Sequence, residues 1–427
     1  MVKLKVKHFG PIKKGYADND GYLDIPDVTL FIGDQGSGKS SIAKILSTCS
    51  WIEKALLKDS DIYKLESEKR YIFKNLELTG EDYDLKRNLQ YQNVHHYLSD
   101  DSYIEYIGKY YRITYDSGET SFESLHVGKE NTYIQPQIMY VPAERNFISV
   151  VEGAKSVKNL PSPLYTFLDE YEAAILALDG GKQKLPLGNF EYQYDHANKQ
   201  GVILDSGGNY RIKLSEASSG LQSATPLFLV SDYLSKLING EYETLRIKRL
   251  SLTDDKSKQT MIYSVLDSEM GNQKKADELQ NVEDRFANGR FMNIVEEMEQ
   301  NLYPKSQQSM LYDLIRCVNS TQGNSLVLTT HSPYVINYLS LAIKAYGIYH
   351  KIDKQNDKLI TKLNRIVPTA SILSGDRVAI YELDQNGTIC KLATFGDGVP
   401  SDNNFLNESL RITNDLYNDL LELGDEA

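Results

Sequence analysis

The chain holds only three cysteines in 427 residues, Cys49, Cys317 and Cys390. Their separations match neither a metal knuckle nor a disulfide framework, which excludes zinc-stapled and disulfide-rich folds and fits a reducing, cytoplasmic setting. No apolar run approaches the roughly 20 residues of a membrane span, so no membrane partner is expected. The opening residues, Met1-Val2-Lys3-Leu4-Lys5-Val6-Lys7, alternate with period two, a strand pattern and not a signal peptide. Internal repeats and long low-complexity segments are also missing. Phenylalanine is sparse, 12 residues against 30 tyrosines, which fits either half-buried positions or extensive interfaces. Excess positive charge is lacking too. The net charge of −12 argues against a broad nucleic-acid-coating surface, although a local basic patch stays open. The remaining composition, 41% hydrophobic and 25% charged, is that of a globular protein with two or three domains or one domain with large inserts.

Against these absences stands one complete motif, Gly33-Asp34-Gln35-Gly36-Ser37-Gly38-Lys39-Ser40. It fits the phosphate-binding loop G-x-x-x-x-G-K-[ST] at every fixed position. The glycines let the backbone curl so that successive N–H groups face phosphate oxygens. Lys39 is expected on the β- and γ-phosphates and the Ser40 hydroxyl on Mg²⁺. The apolar run Val28–Ile32 reads as a buried strand before the loop, and Ser41–Leu46 as a helix whose N-terminus faces the anion. Gly33, Gln35, Gly36, Ser37, Gly38, Lys39, Ser40 and Ser41 are therefore the expected nucleotide-contacting set.

Three later segments supply the chemistry such a loop needs. The apolar run Phe291–Val295 ends in Glu296-Glu297. Glu296 is placed to hold Mg²⁺ and Glu297 to act as general base on the attacking water. A second apolar run ends in Leu328-Thr329-Thr330-His331-Ser332-Pro333, which sets His331 toward the γ-phosphate. Between loop and acids lies Leu214–Ser223, with Ser218-Ser219-Gly220-Leu221-Gln222 at a helix start. That reads either as an anion site at a helix N-terminus or as a plain N-cap.

In this order the motifs resemble the ABC-type ATPase clan, and within it the SMC, RecF and OLD-type heads. Phe9-Gly10-Pro11-Ile12 resembles the opening of such heads. Glu296 to Pro304 is similar to their E-E-P-E-x-x-L-Y-P, with Met298 in place of the usual proline. Tyr140–Asn146 lies where the clan carries its Q-loop but has no glutamine, so Glu144 or Arg145 is expected to couple nucleotide to the helical lobe. The resemblance implies an α/β P-loop NTPase, an ABC-type head with a mixed sheet core, an antiparallel β subdomain and a helical lobe. It also implies ATP as the nucleotide and a head-to-tail, ATP-sandwich dimer. In that dimer Ser218, Ser219, Gly220 and Gln222 complete the partner's site, and Glu299 to Leu302 form the seam.

Residues 1–150 are expected as an N-terminal lobe with an insert at 52–130. Residues 151–290 form a helical, signature-bearing lobe with a charged insert near 240–288, and 291–427 a C-terminal lobe ending in an Asn386-Gly387 hairpin and a helix. The stretch 253–288 reads as an exposed helical insert with little apolar periodicity, either a partner contact or a solvated helical pair. Residues 52–130 are too short for an SMC arm. No TOPRIM-like constellation of acids follows His331. The profile resembles stand-alone ATPases of bacterial antiphage systems of the PARIS and Septu types, which act with a separate nuclease or toxin. The alternative is a RecF-like ATPase that clamps DNA. Two basic clusters bear on it, Lys3, Lys5, Lys7, Lys13 and Lys14, and Arg246, Lys248 and Arg249; ordinary solvated charge explains both equally.

Overall fold

The computed structural model describes residues 1–69, 83–125, 134–151, 153–207, 210–246 and 256–426. Its centre is a seven-stranded mixed sheet, ordered Gly15–Tyr16, Thr388–Lys391, Val378–Leu383, Val28–Gly33, Ser325–Thr330, Asn288–Glu296 and Gln135–Val141. Five of these, from Val378–Leu383 to Gln135–Val141, run parallel. Val28–Gly33 is buried at all six positions, as a parallel strand covered on both faces must be, and its sequence Val-Thr-Leu-Phe-Ile-Gly accordingly lacks alternation.

Each face of the sheet has its own core. On one side the helix Lys39–Lys69 is caught between the central sheet and a five-stranded antiparallel sheet. That second sheet pairs Val2–Phe9 with Leu23–Ile25 and Leu98–Ile107, and continues through Tyr111–Asp116 to Glu119–Ser124. Ile42, Leu46 and Ile52 of the helix share this core with Leu4, Ile104 and Ile113. Much of 52–130 is thus integral to the N-terminal core and not an appended insert.

The opposite face carries the helices Ser162–Ala177, Ser219–Asn239, Pro304–Asn319 and Pro333–Lys351, together with a four-stranded antiparallel sheet over 182–213. Local chemistry fixes their ends. Two begin with proline at the first helical position, where a missing N–H costs nothing. Ser219–Asn239 stops at Gly240, which takes the left-handed conformation. The Asn386-Gly387 turn closes the expected hairpin between Val378–Leu383 and Thr388–Lys391.

The charged stretch before the double acid corrects one expectation. It holds two helices, Lys256–Leu266 and Asn272–Phe286, and they bury a small core of Met261, Val265, Val282 and Phe286. Each pair is spaced i, i+4, so the periodicity is present but only one residue wide. The sheet also mixes the expected lobes, since 1–150 and 288–391 both supply its strands.

Candidate nucleotide site

Parallel register aligns the C-terminal ends of four strands. Thr330 sits opposite Ile32, Glu296 opposite Thr329 and Val295 opposite Val141. The phosphate loop, His331, the double acid and Pro142–Arg145 therefore all leave the sheet along one edge, where open α/β sheets place their ligands.

The loop is shaped from below. Gly33 has φ +138°, and a Cβ there would lie 2.1 Å from the Leu383 carbonyl oxygen. The wall of Gly38 is the Ile12 side chain, which is fully buried; this gives Phe9-Gly10-Pro11-Ile12 its physical role. Gln385 of the hairpin donates to the Asp34 carboxylate at 3.0 Å, so the turn also braces the loop. Gly36 is exposed, and a Cβ there would meet nothing within 4 Å. Gln35 is exposed, Ser37 and Ser41 are buried, and Ser40 is half-buried in the first turn of the helix.

The buried Lys39 ammonium donates to the Gly33 carbonyl at 2.8 Å and the Asp34 carbonyl at 2.6 Å. Burial lowers its pKa to about 8, against the pull of the Glu297, Asp34 and Glu299 carboxylates. Lys39 is thus held at the mouth of the loop as a costly, under-compensated cation.

Glu296 ends its strand, is 4% exposed and accepts from the Ala143 N–H at 3.3 Å through Oε2. Its Oε1 is buried with no hydrogen-bond partner. A buried carboxylate oxygen left in that state is destabilising unless something positive meets it. Together with the Ser40 hydroxyl this donor set fits a hard cation that keeps waters and phosphate oxygens in its shell. Among the described residues no cluster of three His, Cys, Asp or Glu side chains could hold a metal.

Glu297 takes φ +43°, an uncommon conformation for a non-glycine residue. The surroundings enforce it. Its N–H donates to the Thr329 carbonyl at 3.0 Å and to Thr329 Oγ1 at 3.2 Å. Arg145, fully buried, donates to the carbonyls of Glu296 and Glu297, both at 2.7 Å. Burial lowers the Arg145 pKa to about 10, opposed by Glu299, Glu297, Glu296 and Glu144. Arg145 is thus the clamp that sets the turn of the double acid, whereas Glu144 stays exposed.

The result is a Glu297 carboxylate, partly solvent-exposed, 3.8 Å from His331 Nε2. Burial and then the Lys39 charge push His331 below its ordinary pKa, so it is neutral at pH 7. Its backbone N–H donates to Glu299 Oε1 at 2.7 Å. Thr329 and Glu299 therefore position the site, yet the sequence reading gave neither this role. Thr329 belongs to the segment Leu328–Pro333 and Glu299 to the segment Glu296–Pro304, and only the tertiary structure brings their polar groups to the Glu297 and His331 backbones.

Ser218–Gln222 stands apart from this cluster. Ser218 and Ser219 are exposed at the start of a 21-residue helix, and Ser218 makes no side-chain capping bond. The Gln222 amide donates inward to the Ser215 carbonyl at 2.9 Å, and its carbonyl accepts from Ser149. A Cβ on Gly220 would lie 2.8 Å from the Asn301 carbonyl oxygen. Only glycine lets the helix start and the segment after Glu299 meet, so they form one edge together with the 76% exposed Tyr303.

No protein-family model matches the chain, and no curated protein matches it. Solved structures similar to it include an SMC head domain from Thermotoga maritima, at 12% identity and TM-score 0.36, covering 92% of this chain and 98% of that one. Another is an Smc head domain with an extended coiled coil, bound to the C-terminal domain of ScpA and derived from Pyrococcus furiosus, at 9% identity and TM-score 0.37, covering 98% and 100%. A third, an Smc head bound to the C-winged helix domain of ScpA, stands at 10% identity and TM-score 0.31, covering 79% and 90%. Likenesses this loose carry neither fold nor function across, and the topology and geometry described above stand on their own.

Proposed function

We propose that the chain is an ATP-binding, ATP-hydrolysing switch of the ABC type. Lys39 and the loop N–H groups bind the triphosphate, Ser40 and Glu296 hold Mg²⁺, Glu297 takes the proton from water, and His331 supports the γ-phosphate as a neutral hydrogen-bonding group. The single observation that carries this reading is the convergence on one sheet edge of the open loop, the unpartnered Glu296 oxygen and Glu297 held at 3.8 Å from His331. The exposed, uncapped start of the Ser219–Asn239 helix supports a second step. Its free N–H groups complete the site of another copy, so that two ATP molecules are sandwiched between two chains.

The output of the switch is a separate effector protein, a nuclease or toxin, as in antiphage defence. Support comes from the C-terminal helix Phe405–Glu426, where Leu410, Leu416, Tyr417, Leu420 and Leu421 are all more than half exposed; a face of that kind suits a protein partner. Direct DNA clamping gains nothing comparable. Lys3 pairs with Asp24 at 3.8 Å and Lys5 lies over the rings of Tyr22 and Tyr103. Arg246 pairs with Glu243, and Lys248 and Arg249 fall outside the described residues.

The decisive experiment is Glu297→Gln. It keeps the turn clamped by Arg145 but removes the base, so hydrolysis should fall by about 10²–10⁴-fold. An ATP-dependent dimer should accumulate in light scattering. Wild-type hydrolysis by this variant would remove Glu297 from the chemistry, and a monomer under saturating ATP would remove the sandwich.

A further inference from the structure

A second cavity, of about 640 Å³, lies on the flank of the phosphate-loop helix. It opens between the middle of Lys39–Lys69, the short helix Leu85–Tyr91 and the edge strand Gln135–Val141. Its volume is that of a small-molecule pocket.

The charge of its lining decides what it can take. Among the described residues no carboxylate lines it, and its one cation is Lys54. The Lys54 ammonium is already engaged, with the Pro136 carbonyl at 2.6 Å and Asn288 Oδ1 at 2.8 Å. Neither an anion nor a cation is called for.

The other polar groups of the lining are hydroxyls, from Ser47, Thr48, Tyr91, Tyr140 and Thr166, and the primary amides of Asn88, Gln92 and Gln137. Gln92 is only 2% exposed, and its Oε1 has no hydrogen-bond partner; its Nε2 lies 3.5 Å from Ser47 Oγ, at the limit of a hydrogen bond. A buried amide oxygen without a donor is unfavourable until an N–H reaches it. Gln137 offers the opposite polarity, because its Oε1 accepts from Asn288 at 2.6 Å and its own N–H groups remain. Two flat apolar surfaces belong to the same wall, Trp51 at 51% and Tyr91 at 41% exposure. Amides and hydroxyls of both polarities beside aromatic faces, with the single cation Lys54 already engaged, match the edges and faces of a heteroaromatic base.

We propose that this cleft binds a neutral nucleobase or nucleoside as a ligand separate from the phosphate-loop nucleotide, and that its occupancy regulates the ATPase. The second half rests on the function proposed above. Tyr140 lines the cleft from the edge strand Gln135–Val141. The same strand continues into Pro142–Arg145, which clamps the double acid.

Trp51 is the chain's only tryptophan, so its fluorescence reports this cleft alone. The full-length chain would be titrated with adenosine, guanosine, cytidine and thymidine, none of which carries a phosphate. The expected result is a saturable change in Trp51 emission with at least one of them, retained in Lys39→Ala. Affinity should fall by about tenfold or more in Gln92→Leu and in Ala55→Leu, which narrows the cleft without touching Gln92. Thermal melts verify that each variant is folded. No saturable change up to ~10 mM nucleoside, the usual ceiling of weak specific binding, or equal affinity in all folded variants, would overturn the site. Loss of the signal in Lys39→Ala, or its competition by ATP, would assign the cleft to the phosphate-loop nucleotide and overturn its separateness. Bound nucleoside should also shift ATP turnover by about twofold or more, a sub-kilocalorie coupling of the allosteric kind. An unchanged rate with binding intact overturns the regulatory half, whereas absence of ATP turnover in every condition overturns the ATPase reading and leaves the binding result standing.

Discussion

The strand-end cluster and the start of the Ser219–Asn239 helix are built in opposite ways. In the first, backbone groups are tied down repeatedly: Arg145 holds two carbonyls, Thr329 holds the Glu297 N–H, and Glu299 holds the His331 N–H. In the second, Ser218 and Ser219 lie in solvent and cap nothing. A half-site that must do chemistry needs its acids fixed before substrate arrives, because electrostatic preorganisation is lost if they relax. A half-site that must dock on another molecule needs its donors free. The difference leaves one edge with its backbone tied down and one with its donors open, as the proposed switch requires of its two half-sites.

The largest loss is expected on the fixed side. Lys39→Ala should weaken ATP binding by about a hundredfold or more, since hydrogen bonds to charged groups are worth ~1.5–3 kcal/mol each; calorimetry would measure it. On the open side, Ser219→Arg should abolish the ATP-dependent dimer seen by light scattering, while ATP affinity of the monomer stays within about threefold. Equal loss of both would show the two edges to be one site within the chain.

Arg145→Met tests how firmly the fixed side is held. It strands two carbonyls, each unsatisfied group costing ~1–3 kcal/mol, so the melting temperature should drop by several degrees. Turnover should fall more than ATP affinity, because the loop itself is untouched.

The smallest effect concerns pH. Lys39 titrates near 8 in the folded chain and at 10.5 when exposed, so the unfolded state holds the extra proton between these values. From this group stability rises with pH from about 8 to 10.5. Phosphate binding needs the ammonium, so ATP affinity should fall about twofold between pH 7 and 8 and more steeply above. A flat affinity profile would show that Lys39 is not the phosphate ligand.

Much of this was legible in order and not in space. The strand–loop–helix frame around Gly33–Ser40 was readable because glycine positions and an apolar run are local signals. The double acid and His331 were readable because each follows a buried strand. The buried stripe of 256–286 was missed because two residues per helix give too weak a period against so much charge. Arg145 read, with Glu144, as a residue coupling nucleotide to the helical lobe, and a charged side chain in a Pro-Ala-Glu-Arg-Asn segment is ordinarily solvated. Its burial depends on carbonyls 151 and 152 positions away.

The sequence by itself determined that this chain has a phosphate loop, a pair of acids and a histidine, because those are matters of residue type and near spacing. Only the tertiary structure decided that they share one edge, since the strand order interleaves segments some 300 residues apart and parallel register aligns their ends. It also decided which groups are locked and which are left open. An unpartnered Glu296 oxygen, an uncapped Ser218 and a cleft lined by no carboxylate are properties of what surrounds a residue, and no run of neighbours along the chain specifies them.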